Sequence, residues 1–261
     1  MTARTQENCD PAALRKDLEA ELKGPVRFDD LARAVYSTDA SIYQVAPLGV
    51  VFPEDEGDVQ ALVRTCSKHG ASLTGRGAGT SLAGQTCGQG VIADLSRSFD
   101  KILEVDVEGR TVRLQPGVVL DHLNEHLEPL DLFFGPDVAT SSRATVGGMA
   151  NNNSSGARSI KYGMTLNSIR RLRAFLADGT LLDWGPMNRE EVDRKRKSED
   201  REGRILDGLI RLVESKREAI RKGFPNTLRR VGGYPLDNIL NQWEALEKGE
   251  ADTFNPAKIF A

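Results

Sequence analysis

Hydrophobic residues recur at helical and strand spacings in the first part of the chain and predict a small α/β unit. Residues 11–36 carry leucines near helical spacing among charged residues, which predicts a helix. Residues 46–53 form a short apolar run closed by proline, typical of a strand, and residues 55–69 have the pattern of an amphipathic helix. Two further apolar runs, 71–74 and 91–95, predict strands on either side of a glycine-rich loop. This order of elements indicates an α/β unit.

The remainder of the chain alternates predicted hairpins with helices. Each hairpin is indicated by two short apolar runs around a glycine-containing turn. Dense charge over residues 188–202 predicts a solvated linker or the start of an exposed helix rather than a nucleic-acid-binding patch. The predicted elements are, in chain order, a hairpin of strands 101–107 and 111–115, a helix at 117–134, a hairpin of strands 172–176 and 180–184, helices at 205–224 and around 235–243, and a strand beginning within 254–261.

Composition restricts the class of protein. The chain has 261 residues, of which 39% are hydrophobic and 28% charged, as expected for a soluble globular protein of one or two domains. A formal net charge of -3 argues against nucleic acid as a partner, because phosphate binding needs a basic surface. Cys9, Cys66 and Cys87 have no paired spacing, so by themselves they build neither a zinc site nor an iron–sulfur cluster, and we interpret them as reduced thiols.

The chain shows no targeting or membrane-spanning pattern. Its first ten residues are polar and lack the apolar core of a signal peptide. No unbroken apolar run is long enough to span a bilayer. The expected location is cytoplasmic, with peripheral attachment to the inner face of the membrane as an open alternative.

The strongest candidate binding motif is the glycine-rich loop over residues 74–85. Glycines at 75, 77, 79 and 84 allow successive backbone N–H groups to converge on an anion, and Thr80 and Ser81 add hydroxyl donors. A pyrophosphate requires this chemistry. The glycine spacing is neither that of the Rossmann fingerprint nor that of a P-loop. A generic glycine-rich turn remains the alternative.

A second polar segment, residues 141–156, is rich in glycine, asparagine and hydroxyl side chains. Arg143 is its only charged residue. Such a segment cannot form a core by itself and needs a ligand or partner for its polar groups. Asparagine and serine side chains suit a heterocycle edge and sugar-like hydroxyls better than a metal. The alternative is a flexible surface linker.

Together these motifs closely resemble the FAD-binding domain of the vanillyl-alcohol oxidase superfamily. The matching segments are Arg76–Ser81, Pro136-Asp137, Thr145–Asn152 with Gly156, and Tyr162-Gly163, all in the family's order. Within the superfamily the chain most resembles the D-lactate dehydrogenase and D-2-hydroxyglutarate dehydrogenase branch of FAD-linked oxidases, including large forms with a C-terminal iron–sulfur region. The resemblance implies an α+β fold with two α/β subdomains, a small parallel-type sheet unit followed by a larger, mostly antiparallel sheet with helices.

The resemblance also implies which residues hold FAD. The first loop is expected to wrap the pyrophosphate, the second to line the remaining phosphate, ribityl and ring contacts, and Tyr162 and Gly163 to approach the ring. Some relatives attach the flavin covalently through a histidine at the position of Thr80, so FAD is expected to be noncovalent here. The implied cofactor-binding residues are Arg76, Gly77, Ala78, Gly79, Thr80, Ser81, Gln85, Pro136, Asp137, Thr145, Gly147, Gly148, Asn151, Asn152, Gly156, Tyr162 and Gly163.

The same resemblance divides the chain. Residues 1–45 are expected to be a helical extension, residues 46–186 the FAD-binding domain with subdomains near 46–115 and 116–186, and residues 187–261 a charged linker and helices leading to a substrate domain. Relatives continue with a further turn and that domain, so the chain is expected to be a fragment. We assign no catalytic residue and no metal ligand within it.

Three functions remain open at this point. The first is an enzyme that oxidises a D-2-hydroxy acid such as D-lactate by hydride transfer to FAD and passes electrons to a quinone, cytochrome or other acceptor. The isolated chain is expected to be inactive in that case. The second is a binding module that holds FAD without catalysis, and the third is another oxidase or reductase of the same superfamily. An iron–sulfur cluster is an expectation only for a longer form of the protein.

Overall fold

The computed structural model describes residues 9–227 and 229–261, which form two compact units. The first unit comprises residues 9–149 and 175–180, and the second comprises residues 150–174 and 181–261. In chain order the elements that begin in the first unit are α1 (Pro11–Glu21), β1 (Val26–Arg27), α2 (Asp30–Val35), β2 (Gly49–Val51), α3 (Glu56–Lys68), β3 (Leu73–Arg76), β4 (Val91–Asp94), β5 (Ile102–Asp106), β6 (Thr111–Leu114), α4 (Leu120–Leu127) and α5 (Val146–Asn151).

The first unit is built on a four-stranded sheet in the order β1-β2-β4-β3. Strand β4 pairs in parallel with both β2 and β3, and β1 is an antiparallel edge strand. Every residue of β2 and β4 is buried, which is why both strands are apolar in sequence apart from Asp94 at the end of β4. At the carboxyl edge of the sheet, Arg76 at the end of β3 lies opposite Asp94 at the end of β4 in the register of the two strands. The small parallel sheet expected from the sequence is confirmed.

The region 11–36 is not one helix, which corrects the sequence prediction. Helix α1 contributes Leu14 and Leu18 to the core, where they pack with Leu62 and Cys66 of α3. The chain then turns at Gly24-Pro25, because proline lacks the amide that a continuing helix would need. A short strand follows before α2, so a spacing that looked helical in sequence spans two helices and a strand.

A hairpin and α4 carry the chain to the second polar segment. Strands β5 and β6 pair antiparallel, as predicted. Helix α4 is shorter than predicted and continues as a 3-10 helix over Glu128–Leu130, where Pro129 lies in the first turn. Val118 and Leu123 pack against the hairpin. An isolated bridge between Val119 and Thr145 then brings the second polar segment back to the start of α4.

The second unit is mainly helical. Its elements are α6 (Ser159–Tyr162), α7 (Thr165–Ser168), β7 (Leu172–Phe175), β8 (Leu181–Trp184), α8 (Arg189–Arg196), α9 (Arg201–Ser215), α10 (Arg217–Gly223), α11 (Leu236–Glu247) and a 3-10 helix (Pro256–Phe260). The strands β7 and β8 form the second predicted hairpin. In the described ranges the strands outside the four-stranded sheet form two two-stranded sheets, β5-β6 and β7-β8, rather than the one larger sheet that the resemblance implied, and the α+β class is confirmed.

Side-chain caps decide two segments of the second unit. Of the two alternatives for the charged run at 188–202, the structure shows the start of a helix and not a linker, because Asn188 caps α8 with a capping box and Val192 is fully buried. The C-terminal residues do not begin a strand. Phe254 makes one isolated bridge to Met187, and Asn255 then caps the final 3-10 helix. Side-chain caps of this kind override a weak apolar pattern.

Burial raises the pKa of the Cys66 thiol on α3 to about 12, and the nearby Cys9 adds to the rise. The folded state therefore holds the proton more tightly than the unfolded state, whose thiol has the ordinary value of 9.0. Stability from this group is complete below pH 9 and falls as the pH rises towards 12. Relative to Cys66→Ala, the wild-type chain is expected to lose about 1.4 kcal/mol of unfolding free energy per pH unit above that point. Urea unfolding of both proteins on each side of pH 9 measures the difference, and parallel pH profiles would contradict it.

No helix in the described ranges is both long and apolar enough to cross a membrane. Among the same residues, no group of three histidine, cysteine, aspartate or glutamate side chains is arranged to hold a metal ion.

Candidate cofactor-binding site

The first glycine-rich loop leaves the carboxyl edge of the parallel sheet at the end of β3. Gly79 has φ +69° and is buried, a conformation that L-residues with a side chain rarely adopt. Within the described part of the chain, none of the amide N–H groups from Gly77 to Ser81 donates a hydrogen bond to another protein group. A run of amides without protein acceptors is suited to an anionic ligand.

The end of the loop, residues 81–85, is held by hydrogen bonds within the loop itself. The Ser81 hydroxyl donates to the Gln85 side-chain oxygen, and the Ala83 N–H donates to the same oxygen at 3.2 Å. Gln85 therefore shapes the loop from within.

The structure brings the start of the second polar segment to the first loop. A Cβ on Gly77 would lie 2.4 Å from the Thr145 Oγ1, so the Gly77 backbone packs directly on the Thr145 side chain and leaves no room for a side chain at 77. Thr145 is buried, and the Gly148 N–H points to its hydroxyl at 3.4 Å. On the opposite side Gly147 packs against Pro116, where a Cβ would lie 2.4 Å away. Four predicted site residues therefore lie close together, because glycines at 77 and 147 leave room for this packing. They are Gly77, Thr145, Gly147 and Gly148.

Gly77→Ala tests this approach. The added methyl group would collide with Thr145 and push the two loops apart, so FAD binding is expected to weaken about tenfold. Thr145→Ala removes the two nearest atoms and should restore most of the affinity in the double variant. Titration of FAD by flavin fluorescence measures each dissociation constant. Equal affinity of wild type and Gly77→Ala would contradict the close approach.

The segment with Pro136 and Asp137 runs beside the same part of the first unit. Pro136 is buried, and the neighbouring Val138 packs against a cluster that contains Met149 of α5. Asp137 is half-buried. The segment thereby packs against the second polar segment.

The remaining predicted residues lie in the second unit. Asn151 is exposed, whereas Asn152, Gly156, Tyr162 and Gly163 are half-buried. The Gly156 N–H donates to the Ser159 hydroxyl at 2.9 Å and its carbonyl accepts from Arg229. Gly163 ends α6 with φ +77°. These residues form a compact turn region around α6.

Asn153 has a structural role that the sequence pattern did not distinguish. It is buried at φ +42°, its side-chain oxygen accepts the Leu166 N–H at 3.0 Å, and its side-chain amide donates to the Arg230 carbonyl at 3.3 Å. One member of the asparagine run is therefore satisfied by the protein. Nothing in the run Asn151-Asn152-Asn153 separates this residue from its neighbours, because only long-range partners identify it.

The residues present fit FAD by their own geometry. Five consecutive amides without protein acceptors, in a loop that approaches a second glycine-rich segment within the space of one methyl group, form a place for a pyrophosphate. The comparisons with known proteins agree with this fit. A family model described as an FAD binding domain matches residues 47–185, more than half of the chain.

Curated relatives extend the match. The chain is 39% identical over 212 residues to D-2-hydroxyglutarate dehydrogenase of Pantoea ananatis, covering 80% of this chain and 21% of the relative. It is 37% identical over 237 residues to D-2-hydroxyglutarate dehydrogenase of Haemophilus influenzae, covering 88% and 23%. It is 34% identical over 213 residues to glycolate oxidase subunit GlcD of Bacillus subtilis, covering 77% and 45%. The chain thus spans about a fifth of the length of the dehydrogenases.

Two solved structures share the fold of this chain. An alkyldihydroxyacetonephosphate synthase superposes with a TM-score of 0.59 at 24% identity, over 66% of this chain and 34% of that one. A p-cresol methylhydroxylase superposes with a TM-score of 0.59 at 20% identity, over 67% and 35%. From the two converging loops and the match over residues 47–185, we conclude that the chain belongs to the FAD binding domain family and that FAD is its cofactor.

Proposed function

We propose that this chain is the FAD-binding part of an FAD-dependent dehydrogenase that oxidises a D-2-hydroxy acid. The observation that carries the proposal is the convergence of the loop at Gly77 with Thr145, beside five amides without protein acceptors. The relatives named D-2-hydroxyglutarate dehydrogenase and glycolate oxidase subunit support the reaction class, since both names refer to 2-hydroxy acids.

In this proposal the chain's own residues bind and orient the cofactor. The amides of residues 77–81 donate to the pyrophosphate, and Gly147 and Gly148 allow the second segment to lie close to it. Tyr162 and Gly163 lie towards the ring. FAD is noncovalent, because Thr80 offers no histidine for attachment. When bound, FAD supplies the acceptor for the hydride that leaves the substrate carbon, while the protein contributes position and electrostatics.

The identity of the hydroxy acid is a separate part of the proposal. D-2-hydroxyglutarate and glycolate are supported by the names of relatives, and D-lactate by the resemblance of the motifs. Electrons then pass to a quinone, a cytochrome or another acceptor. No residue of this chain is assigned as the catalytic base, so the alternative for the isolated chain is an FAD-binding module without activity.

A visible absorption spectrum before and after addition of FAD tests the proposal. Flavin bands that remain with the protein through gel filtration and disappear on acid precipitation into the supernatant are expected for noncovalent FAD. A protein that takes up no FAD would refute the proposal for this chain.

Reduction of a dye by D-2-hydroxyglutarate, D-lactate and glycolate then separates the alternatives. A longer form of the protein is expected to reduce the dye with one of these acids. Bound FAD without dye reduction in that longer form would favour the binding module.

A further inference from the structure

A segment ahead of the family match packs against the first loop. Residues 36–43, which we call the strap, follow α2 and precede residues 47–185. The Ala40 N–H donates to the Gly79 carbonyl at 2.9 Å, and the Tyr43 ring packs against Gly84. The strap therefore contacts the loop at two separated points.

The Arg76 side chain connects the strap to the loop. Its Nη2 donates to the Thr38 carbonyl at 2.8 Å, and its Nη1 donates to the Thr86 carbonyl at 3.4 Å. The guanidinium lies over the Tyr36 ring, 5.2 Å from the ring centre. It also lies beside Gly79, where a Cβ would come within 2.5 Å of Nη2. One N–H of each terminal nitrogen thus donates to a protein carbonyl, and these two bonds fix the plane of the guanidinium.

Tyr36, on which Arg76 stacks, is itself fixed. Its hydroxyl donates to the Asp94 carboxylate at 2.5 Å, at the end of β4. Burial raises the pKa of Tyr36, and the bond to Asp94 raises it further, so the hydroxyl remains a donor. The same carboxylate accepts from Ser96 N–H and hydroxyl at 2.8 and 2.6 Å. The base of the strap is therefore anchored to the sheet.

Asp39 makes a second connection. One carboxylate oxygen accepts the Ser41 N–H at 2.9 Å and the other accepts the Thr86 hydroxyl at 3.0 Å. Burial acts to raise the pKa of Asp39, but these hydrogen bonds outweigh it and lower the pKa. Asp39 and Arg76 thus hold Thr86, just past the loop, from two sides.

We infer that Arg76 and Asp39 are positioning residues that hold the loop over residues 77–81 in its FAD-binding conformation, and that Arg76 does not itself bind the pyrophosphate. The inference rests on the proposed function of the loop. It assigns to the strap, outside the matched region, a part in the cofactor site. It also replaces the expectation that Arg76 is a direct ligand.

Charge-preserving and charge-removing variants of Arg76 separate the two roles. A direct ion pair with pyrophosphate would survive in Arg76→Lys and would show as a smaller salt dependence of FAD binding in Arg76→Gln. If Arg76 instead positions the loop through its bonds to two carbonyls, FAD binding should weaken in both variants, because lysine cannot donate to two carbonyls in the planar geometry of a guanidinium. We expect FAD to bind about tenfold more weakly in each, with an unchanged salt dependence. Affinity retained in Arg76→Lys, or a reduced salt dependence in Arg76→Gln, overturns the inference.

The contact between Asp39 and Thr86 offers a second test. Asp39→Ala and Thr86→Val are each expected to weaken FAD binding about fivefold, and the double variant to be no weaker than either single one, since they remove the same contact. Asp39→Asn should rescue binding, because it keeps an oxygen acceptor and a polar partner for Thr86. Asp30→Ala, an exposed acidic residue of α2, is the matched control and should leave binding unchanged.

Hydrogen exchange in the FAD-free chain provides a readout that does not need the cofactor. The Ala40 amide reports the bond between strap and loop, and its protection should fall in Asp39→Ala and Arg76→Lys while urea unfolding stays close to wild type. If these variants keep wild-type FAD affinity and wild-type Ala40 protection, the positioning role is overturned while the proposed function stands. A wild-type chain that binds no FAD refutes the proposed function, and with it the role of the strap in cofactor binding.

Discussion

Gly79→Val is expected to abolish FAD retention, with affinity falling about a hundredfold or more. Gly79 has φ +69°, a conformation that is strained for valine, and its Cβ would lie 2.5 Å from the Arg76 guanidinium. The loop would have to change its backbone, and the run of amides that faces the anion would be lost. Flavin absorbance that co-elutes with the protein in gel filtration measures retention.

Gly70→Val is the matched control for this prediction. Gly70 has φ +65° in the turn after α3, and no atom lies within 4 Å of a Cβ there. The same substitution in the same backbone conformation, away from the loop, should cost stability but leave FAD affinity unchanged. Yellow protein from Gly79→Val would falsify the assignment of the loop to the pyrophosphate.

Trp243→Ala is expected to lower the free energy of unfolding of the second unit by about 3–5 kcal/mol. Trp243 is 1% exposed, packs edge-to-face on Phe254 with ring centres 5.7 Å apart, and donates to Glu214 at 2.9 Å. Arg189 and Arg196 of α8 lie over the ring at 5.0 and 5.6 Å. Removing the ring leaves a cavity and an unpaired Glu214 and releases α8 from its packing surface. Urea unfolding monitored by circular dichroism measures the loss.

Trp243→Phe separates the two contributions. The phenyl ring keeps most of the packing but lacks the indole N–H, so about 1–2 kcal/mol should be lost through the Glu214 hydrogen bond and the smaller ring. An alanine variant as stable as the phenylalanine variant would show that the ring does not hold α8.

Composition left two alternatives for the charged run around α8, a linker or the start of an exposed helix, and the tertiary structure selects the helix. Its mean pattern is solvated, yet one apolar residue, Val192, is fully buried and two arginines stack on Trp243, some fifty residues later in the chain. Long cationic side chains can cover apolar surface while their heads remain in water. A window of sequence does not contain the partner that makes this possible.

The prediction of one helix over residues 11–36 was wrong because it rested on local spacing alone. Leucine spacing is a local signal, but Leu31 is 70% exposed while Leu14 and Leu18 are fully buried. Gly24-Pro25 is also a local signal, and it indicates a break between α1 and α2 that the leucine spacing does not show. By contrast, the amphipathic helix α3 and the two hairpins matched their predictions, because each carries its own complete pattern and turn.

For the candidate site, the sequence by itself determined the two glycine-rich segments, their order and their chemistry. Glycine is favoured where the backbone packs closely or takes a positive φ, so a cluster of glycines is visible without a structure. The resemblance of the motifs then led to the FAD-binding family, which the match over residues 47–185 confirms.

Only the tertiary structure decided which hydrogen-bond partners the polar side chains of the site have. Arg76 lies within the motif and carries the charge that a pyrophosphate would attract, and in the structure its Nη2 and Nη1 each donate to a carbonyl, those of Thr38 and Thr86. Asn153 lies in the asparagine run, yet its side-chain oxygen accepts the Leu166 N–H and its side-chain N–H donates to the Arg230 carbonyl. Sequence specifies the donors and acceptors of each residue, but a hydrogen bond also needs a partner within about 3 Å. In this chain those partners are brought in from distant segments by the folding of the sheet and its loops.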